Sequence, residues 1–176
     1  MQEGDLDMEF TFHTVYDQKA MTALAKGLRK TLRAKRNRRS RILGTIVSVV
    51  GFLLIWCRGT IDFRSVLTAA AILVILYVLL CEDNLNGSIA KKRGLPGLNE
   101  SVTTFTEESY HSVTPLGETT FYYNNILAAA EMPDYFLLLF SQSHGQVYSK
   151  ASLTGGSEDD FRSFIEDKTN LTVQRI

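Results

Sequence analysis

Three histidines, two cysteines and one tryptophan are few for a chain of 176 residues, and their placement rules out several chemistries. His13, His111 and His144 have no ligand spacing with one another or with Cys57 and Cys81, so the sequence encodes no recognisable zinc site. A phosphate-cradling glycine signature and a nucleophile elbow are both missing. Thr154-Gly155-Gly156-Ser157 precedes a predicted helix, but the acids Glu158, Asp159 and Asp160 that follow would repel a phosphate, so the segment reads as a linker and cap. Lys150 reads as a solvated lysine at a strand end, with an anionic headgroup as its other possible contact. No catalytic residue, cofactor or metal is assigned, and the chain is expected not to be an enzyme.

Charge is missing in a pattern. Lys26 to Arg41 holds nine Lys/Arg and no acid, whereas Gly94 to Ile176 holds eleven Asp/Glu against Lys150, Arg162, Lys168 and Arg175. The net charge of zero therefore conceals a basic segment beside an acidic domain. Ile42 to Cys57 and Ser65 to Cys81 carry no charge at all. Each contains ten residues from Leu, Ile, Val and Phe, which on the insertion scale contribute about −3 to −6 kcal/mol before polar penalties. Either stretch alone could be a buried helix, but both lack the polar stripe of a globular helix. They are read as transmembrane helices, with a soluble helical hairpin as the alternative.

Arg58 to Arg64 is too short to cross a bilayer again, so the two helices form a hairpin. Basic residues outside the hairpin outnumber Arg58 and Arg64 in the connection, which places both termini in the cytoplasm. A cleaved leader is not expected, because the first apolar run begins at Ile42 behind Glu3, Asp5 and Asp7. Gly44, Ser48 and Gly51 share a helix face that suits close helix packing near Ser65 and Ala69; simple tolerance of small residues is the other reading. Cys57 and Cys81 fall at opposite membrane faces and should remain free thiols. Arg29, Lys30, Arg33, Lys35, Arg36, Arg38, Arg39 and Arg41 are candidates for contact with anionic lipid, or simply mark topology. Nucleic acid is not expected as a partner, because no aromatic residue interrupts Thr22 to Arg41.

Met8 to Tyr16 alternates as a half-buried strand, Asp17 can cap the next helix, and Met21, Leu24, Ala25, Leu28 and Leu32 recur at helical spacing. The expected organisation is residues 1–17 as an N-terminal strand, 18–41 as a basic amphipathic helix running into the membrane as a continuous or gently broken rod, 42–57 and 65–81 as the membrane helices around an outer loop at 58–64, 82–100 as a linker, and 101–176 as a β domain. Six strands are predicted in that domain, near 101–106, 110–114, 119–123, 127–132, 135–140 and 146–149. A closing helix is predicted over 157–168, with Phe161, Phe164 and Ile165 plugging the sheet and Leu171 to Ile176 as a further edge strand. The N-terminal strand has no other β partner before residue 100, so it is expected to join this sheet across the helical hairpin. The fold class is thus an α+β membrane protein, a two-helix transmembrane hairpin plus a small antiparallel β domain of pleckstrin-homology-like inventory with a C-terminal helix.

Tyr123-Asn124-Asn125-Ile126, Glu131 to Leu138, Val147-Tyr148-Ser149-Lys150 and Phe161 to Ile165 resemble segments of the bacterial YcxB-like proteins. Tyr123 stands where that family commonly has Trp, and Ser149 where Pro often precedes the Lys. The resemblance implies a pleckstrin-homology-like C-terminal domain and no activity. Two function classes are carried forward. One is a non-enzymatic interaction or regulatory module on the bacterial cytoplasmic membrane, whose β domain docks a protein partner or a second copy by edge-strand pairing or senses the adjacent lipid surface, the acidic domain and basic arm attracting one another until anionic lipid competes for the arm. The other is an accessory subunit of a membrane transporter or enzyme.

Overall fold

The sequence-distant strand β1 (Phe10–Val15) pairs antiparallel with β2 (Glu100–Phe105), Phe10 opposite Phe105 and Val15 opposite Glu100, so one sheet is completed across the helical hairpin. The computed structural model describes residues 9–59, 62–94 and 96–176. Met8, assigned to the first strand from its alternation, and Thr60 and Ile61 of the short connection lie outside the described residues. Strands β3 (Tyr110–Thr114) and β4 (Gly117–Phe121) continue the first sheet in the order β1-β2-β3-β4. The second sheet contains β5 (Ala128–Glu131), β6 (Tyr135–Leu139), β7 (Gly145–Ser149) and β8 (Gln174–Arg175), in the order β7-β6-β5-β8. The tail strand joins this sheet parallel to β5, unlike the antiparallel remainder.

Aromatic packing binds the two sheets together. Phe161 lies on α4 (Glu158–Thr169) and meets the rings of Phe12, Phe136 and Phe105 at 4.7, 4.9 and 5.0 Å. Phe161, Phe164 and Ile165 are all buried, as their shared helical face requires. Ser157 caps the helix in a reciprocal box with Asp160. The preceding Thr154 exchanges two 3.0 Å backbone hydrogen bonds with Thr11. Gly155 has φ +95°, and a Cβ there would collide with the Glu9 carbonyl, so glycine permits this close approach.

The second sheet is covered on both faces. Phe136 and Leu138 face the aromatic core, while Leu137 and Leu139 pack with Ala20, Ala23 and Leu28 of α1 (Gln18–Lys30). This two-sided burial explains the unbroken apolar runs Ala128–Ala130 and Phe136–Leu139, where a one-sided strand would alternate. Gly27 sits against Leu137, and any side chain there would invade its position.

The basic segment takes the broken form of the expected rod: α1 ends at Lys30, Thr31–Arg33 form a turn, and α2 runs Ala34–Arg58. Packing of α1 between the second sheet and α3 (Phe63–Arg93) imposes that turn, since a straight rod would strip Leu137 and Leu139 of their cover. The expected linker after Cys81 instead continues α3 to Arg93. There Gly87 admits the Thr22 backbone of α1, which a Cβ would meet at 2.8 Å. Arg29 makes a two-point ion pair with Asp83 at 2.6 and 2.7 Å. The helix cap at Asp17 is as expected, its carboxylate accepting from the Ala20 N–H at 2.7 Å.

Candidate functional site

The hairpin leaves many large apolar side chains uncovered. Its two helices are long and apolar enough to cross a membrane, and very little of either apolar window is buried. Leu43, Leu54, Trp56, Leu73 and Leu80 are all more than half exposed, Leu80 at 82%. The helices meet along a narrow seam. Gly44 lies against Ile75 and Leu79, Gly51 against Thr68 and Ile72, and the buried Ser48 donates its hydroxyl to the Gly44 carbonyl at 2.9 Å. Of the two α3 positions expected opposite this face, Ser65 is buried at the helix start, while Ala69 is exposed and the seam uses Thr68 and Ile72. Three- and four-residue spacing from Thr68 selects Ile72, Ile75 and Leu79 and leaves Ala69 off that face.

The eight basic candidates separate into two groups. Arg29 is largely buried against Asp83, with 16% of its side chain exposed, and that partner raises its already high pKa. Arg33 is half-buried and donates its Nε to the Gln142 carbonyl in the β6–β7 turn. Lys30, Lys35, Arg36, Arg38, Arg39 and Arg41 are exposed. Among the described residues, none of these six pairs with an acid of the β domain. Domain acids have partners of their own: Glu107 with Lys168, Glu100 with His13, and Glu131 and Glu158 with Lys150. The basic helix does meet the acidic domain at its start, where Lys19 pairs with Asp134 at 2.8 Å, while the six exposed residues make no such pair among the described residues.

Within the domain, Glu131 collects charges from two distant elements. Arg162 of α4 holds it with two bonds of 2.6 and 2.9 Å, and Lys150 at the end of β7 donates at 2.6 Å. Lys150 also donates to Glu158 at 2.6 Å and stands 4.8 Å from the Phe136 ring centre. Only 7% of its side chain is exposed, so it is neither the solvated lysine nor the headgroup contact that its strand-end position suggests. Arg162 foremost, with Lys150, holds the Glu131 carboxyl down at about 2 against the opposing effect of burial. A buried carboxylate saturated by two cations is a structural tie between helix and sheet. It has no spare proton near neutrality for acid–base chemistry.

A cleft of about 720 Å³ lies between the domain and the helical stalk. Tyr16, Met21 and Leu24 form one wall, Ala90 to Lys92 and Pro96 to Asn99 a second, and Ser112, Thr114, Gly117 to Thr119 and Phe121 a third. Neighbouring hydroxyls satisfy one another: Tyr16 Oη and Ser101 Oγ are 2.8 Å apart, and Thr103 donates to Ser112 at 3.1 Å. Burial pushes the Tyr16 hydroxyl pKa up despite that bond. The lining thus mixes apolar side chains and hydroxyls with the charged Lys91, Lys92 and Glu118, a surface that can receive side chains and main-chain amides. β4 borders it and pairs only with β3 among the described strands; its residues are exposed apart from the partly covered Phe121. Neither the cleft nor the Glu131 cluster was identified from sequence. The unpaired, Thr-rich β4 was a weak signal for the cleft, whereas positions 131, 150 and 162 show no local pattern.

Residues 105–165 match the YcxB-like protein family. That stretch lies within the C-terminal domain and is what this chain shares with the family. The matched residues include the Glu131 cluster, the β6–β7 turn and most of the closing helix; β1 and the hairpin lie outside them. No curated protein and no solved structure matches the chain.

Proposed function

We propose that this chain is a non-enzymatic module of the bacterial cytoplasmic membrane, anchored by its hairpin with both termini in the cytoplasm, whose pleckstrin-homology-like domain receives an extended segment of a protein partner beside β4. The observation that carries the docking reading is the open β4 edge on the cleft of about 720 Å³. An edge strand offers a row of main-chain donors and acceptors, and a neighbouring pocket supplies side-chain selectivity. Two four-stranded sheets closed by one C-terminal helix support the pleckstrin-homology-like assignment. Orientation rests on the exposed basic turns before Ile42 and on Lys91, Lys92 and Arg93. Ala90 lies about 15 Å along α3 beyond Leu80, so the cleft faces the cytoplasm below the headgroup layer.

An accessory-subunit role would have to use the outer faces of the hairpin, because Gly44 and Gly51 already pack against α3. Photo-crosslinkers at Thr119 in β4 and at Leu73 on the hairpin separate the readings. The docking reading expects an extended partner segment on Thr119, with slower amide exchange along β4 in the complex. Adducts confined to Leu73, with an integral-membrane protein, would replace it by the accessory role.

A further inference from the structure

We infer that the β6–β7 turn, together with Arg33, is a contact for the phosphates of anionic lipid, giving the YcxB-like domain its own attachment to the bilayer surface. This rests on the hairpin being the membrane anchor. Lipid contact was expected from the basic helix, with Lys150 as a further possibility in the β domain, and the turn had no assigned role.

Hydrogen bonding within the turn decides which atoms it offers. Ser141 Oγ accepts from the backbone N–H groups of Ser143 and His144 at 3.1 and 3.0 Å. Both its lone pairs are then engaged, so its own hydrogen is free to donate, and His144 Nδ1 lies 3.1 Å away. Ser143 Oγ approaches the same Nδ1 at 2.9 Å. With Nδ1 engaged by these hydroxyls, Nε2 is the ring nitrogen left for a phosphate, to which it donates as Nε2–H. The exposed imidazole therefore presents a donor, as an acceptor-rich phosphate requires.

Arg33 fixes where that donor stands. Its Nε holds the Gln142 carbonyl, tying the turn to the joint between α1 and α2. Among the described residues its terminal guanidinium nitrogens have no protein acceptor, and Lys30, Lys35 and Arg36 around the joint are exposed. No acid lies in Phe140 to Gly145 to oppose an anion. The joint is nine residues before Ile42, about 13 Å along α2. The first apolar run covers only about 25 Å of a ~30 Å hydrocarbon layer, which draws the basic turns inward. The headgroup layer extends a further ~5–8 Å, within reach of a long arginine. A soluble anion could use the same donors, but the cationic collar leading to the bilayer selects the lipid source.

The test uses the full chain in nanodiscs of phosphatidylcholine alone and of phosphatidylcholine with phosphatidylglycerol, each doped with a headgroup spin-labelled lipid. Amide relaxation is read at Gln142, Ser143 and His144. Anionic discs should enhance relaxation at these three amides relative to neutral discs, and Arg33→Gln should lower the bound-to-free ratio about fivefold. His144→Phe, which leaves Arg33 in place, should also lower it, with the remaining spectrum unchanged. Equal relaxation in the two discs would overturn the inference, as would indifference to both substitutions. Inorganic phosphate shifting the turn equally in neutral discs would reassign the site to a free anion and overturn the lipid assignment. Failure of the chain to enter discs would instead refute the anchor reading.

Discussion

The hairpin and the YcxB-like domain contain similar apolar residues and treat them in opposite ways. In the domain, Phe12, Phe105 and Phe161 are 0% exposed and their rings interlock. In the hairpin, Phe52 is 60% and Leu73 is 67% exposed, and contact is confined to a seam of small residues. A water-soluble fold with the second kind of surface would aggregate, since exposed apolar patches of that extent are not left uncovered in stable monomers. On the proposed membrane reading, the difference teaches that two solvents shape one chain. Water drives the aromatic core together, while a lipid-facing helix loses nothing by leaving its leucines outside. α1 joins the two regimes, with its alanines on the sheet and Arg29 and Thr22 on the stalk.

Truncating a large side chain in each region should break the symmetry most sharply. Phe161→Ala is expected to destabilise the domain by about 3–5 kcal/mol. Phe52→Ala in a bilayer should leave the domain transition within about 0.5 kcal/mol of the parent. Denaturant melts of reconstituted protein followed by near-ultraviolet dichroism check both, and equal losses would erase the distinction.

Next in size is the Glu131 tie. Its folded pKa of about 2 lies below the ordinary 4.5, so its stabilisation is complete above the ordinary value and disappears as pH falls towards 2. The expected loss is on the order of 3 kcal/mol, from linkage. Glu131→Gln should cost about as much at neutral pH, because Lys150 and Arg162 then lose their shared carboxylate. Acid melts of parent and variant should converge near pH 2. Persistence of the gap there would show that the carboxylate is not the source.

Weaker effects should appear where the regions join. Gly87→Val is expected to cost about 1–3 kcal/mol by forcing Thr22 away. The cost should appear as faster amide exchange in α1 with little change among the aromatic core amides. Arg29→Met should loosen the same helix by about 1–2 kcal/mol, since it removes a two-point hydrogen-bonded ion pair. Uniform exchange changes over the whole domain in either variant would deny α1 its place as a separable wedge.

Much of the β domain was legible in the sequence because alternation and turn chemistry act locally. Tyr110–Thr114 was placed at its exact ends, and Ser157 was recognised as the cap of the closing helix. Pairing of β1 with β2 followed from a strand that otherwise lacked a partner. The helix turn at Thr31–Arg33 was not legible, because no proline marks it and it arises from burial of Leu137 and Leu139 beneath α1. Continuation of α3 through Asn84 and Asn86 was likewise hidden, since weak helix formers are held there by Thr22 and Arg29. Of the candidate site residues, Gly44, Ser48 and Gly51 lie on the hairpin seam, where the α3 face that meets them leaves Ala69 out. Arg29 instead serves a long-range ion pair that only the folded chain brings together.

The central claim is that hydrocarbon surrounds the hairpin. Spin labels at Val49, Phe52 and Leu73, in a chain with Cys57 and Cys81 replaced by Ser, measure this through collision with oxygen and with a water-soluble nickel chelate. High oxygen and low nickel accessibility at all three positions is the expected result. Strong nickel collision at these exposed positions would place the hairpin in water and contradict the account.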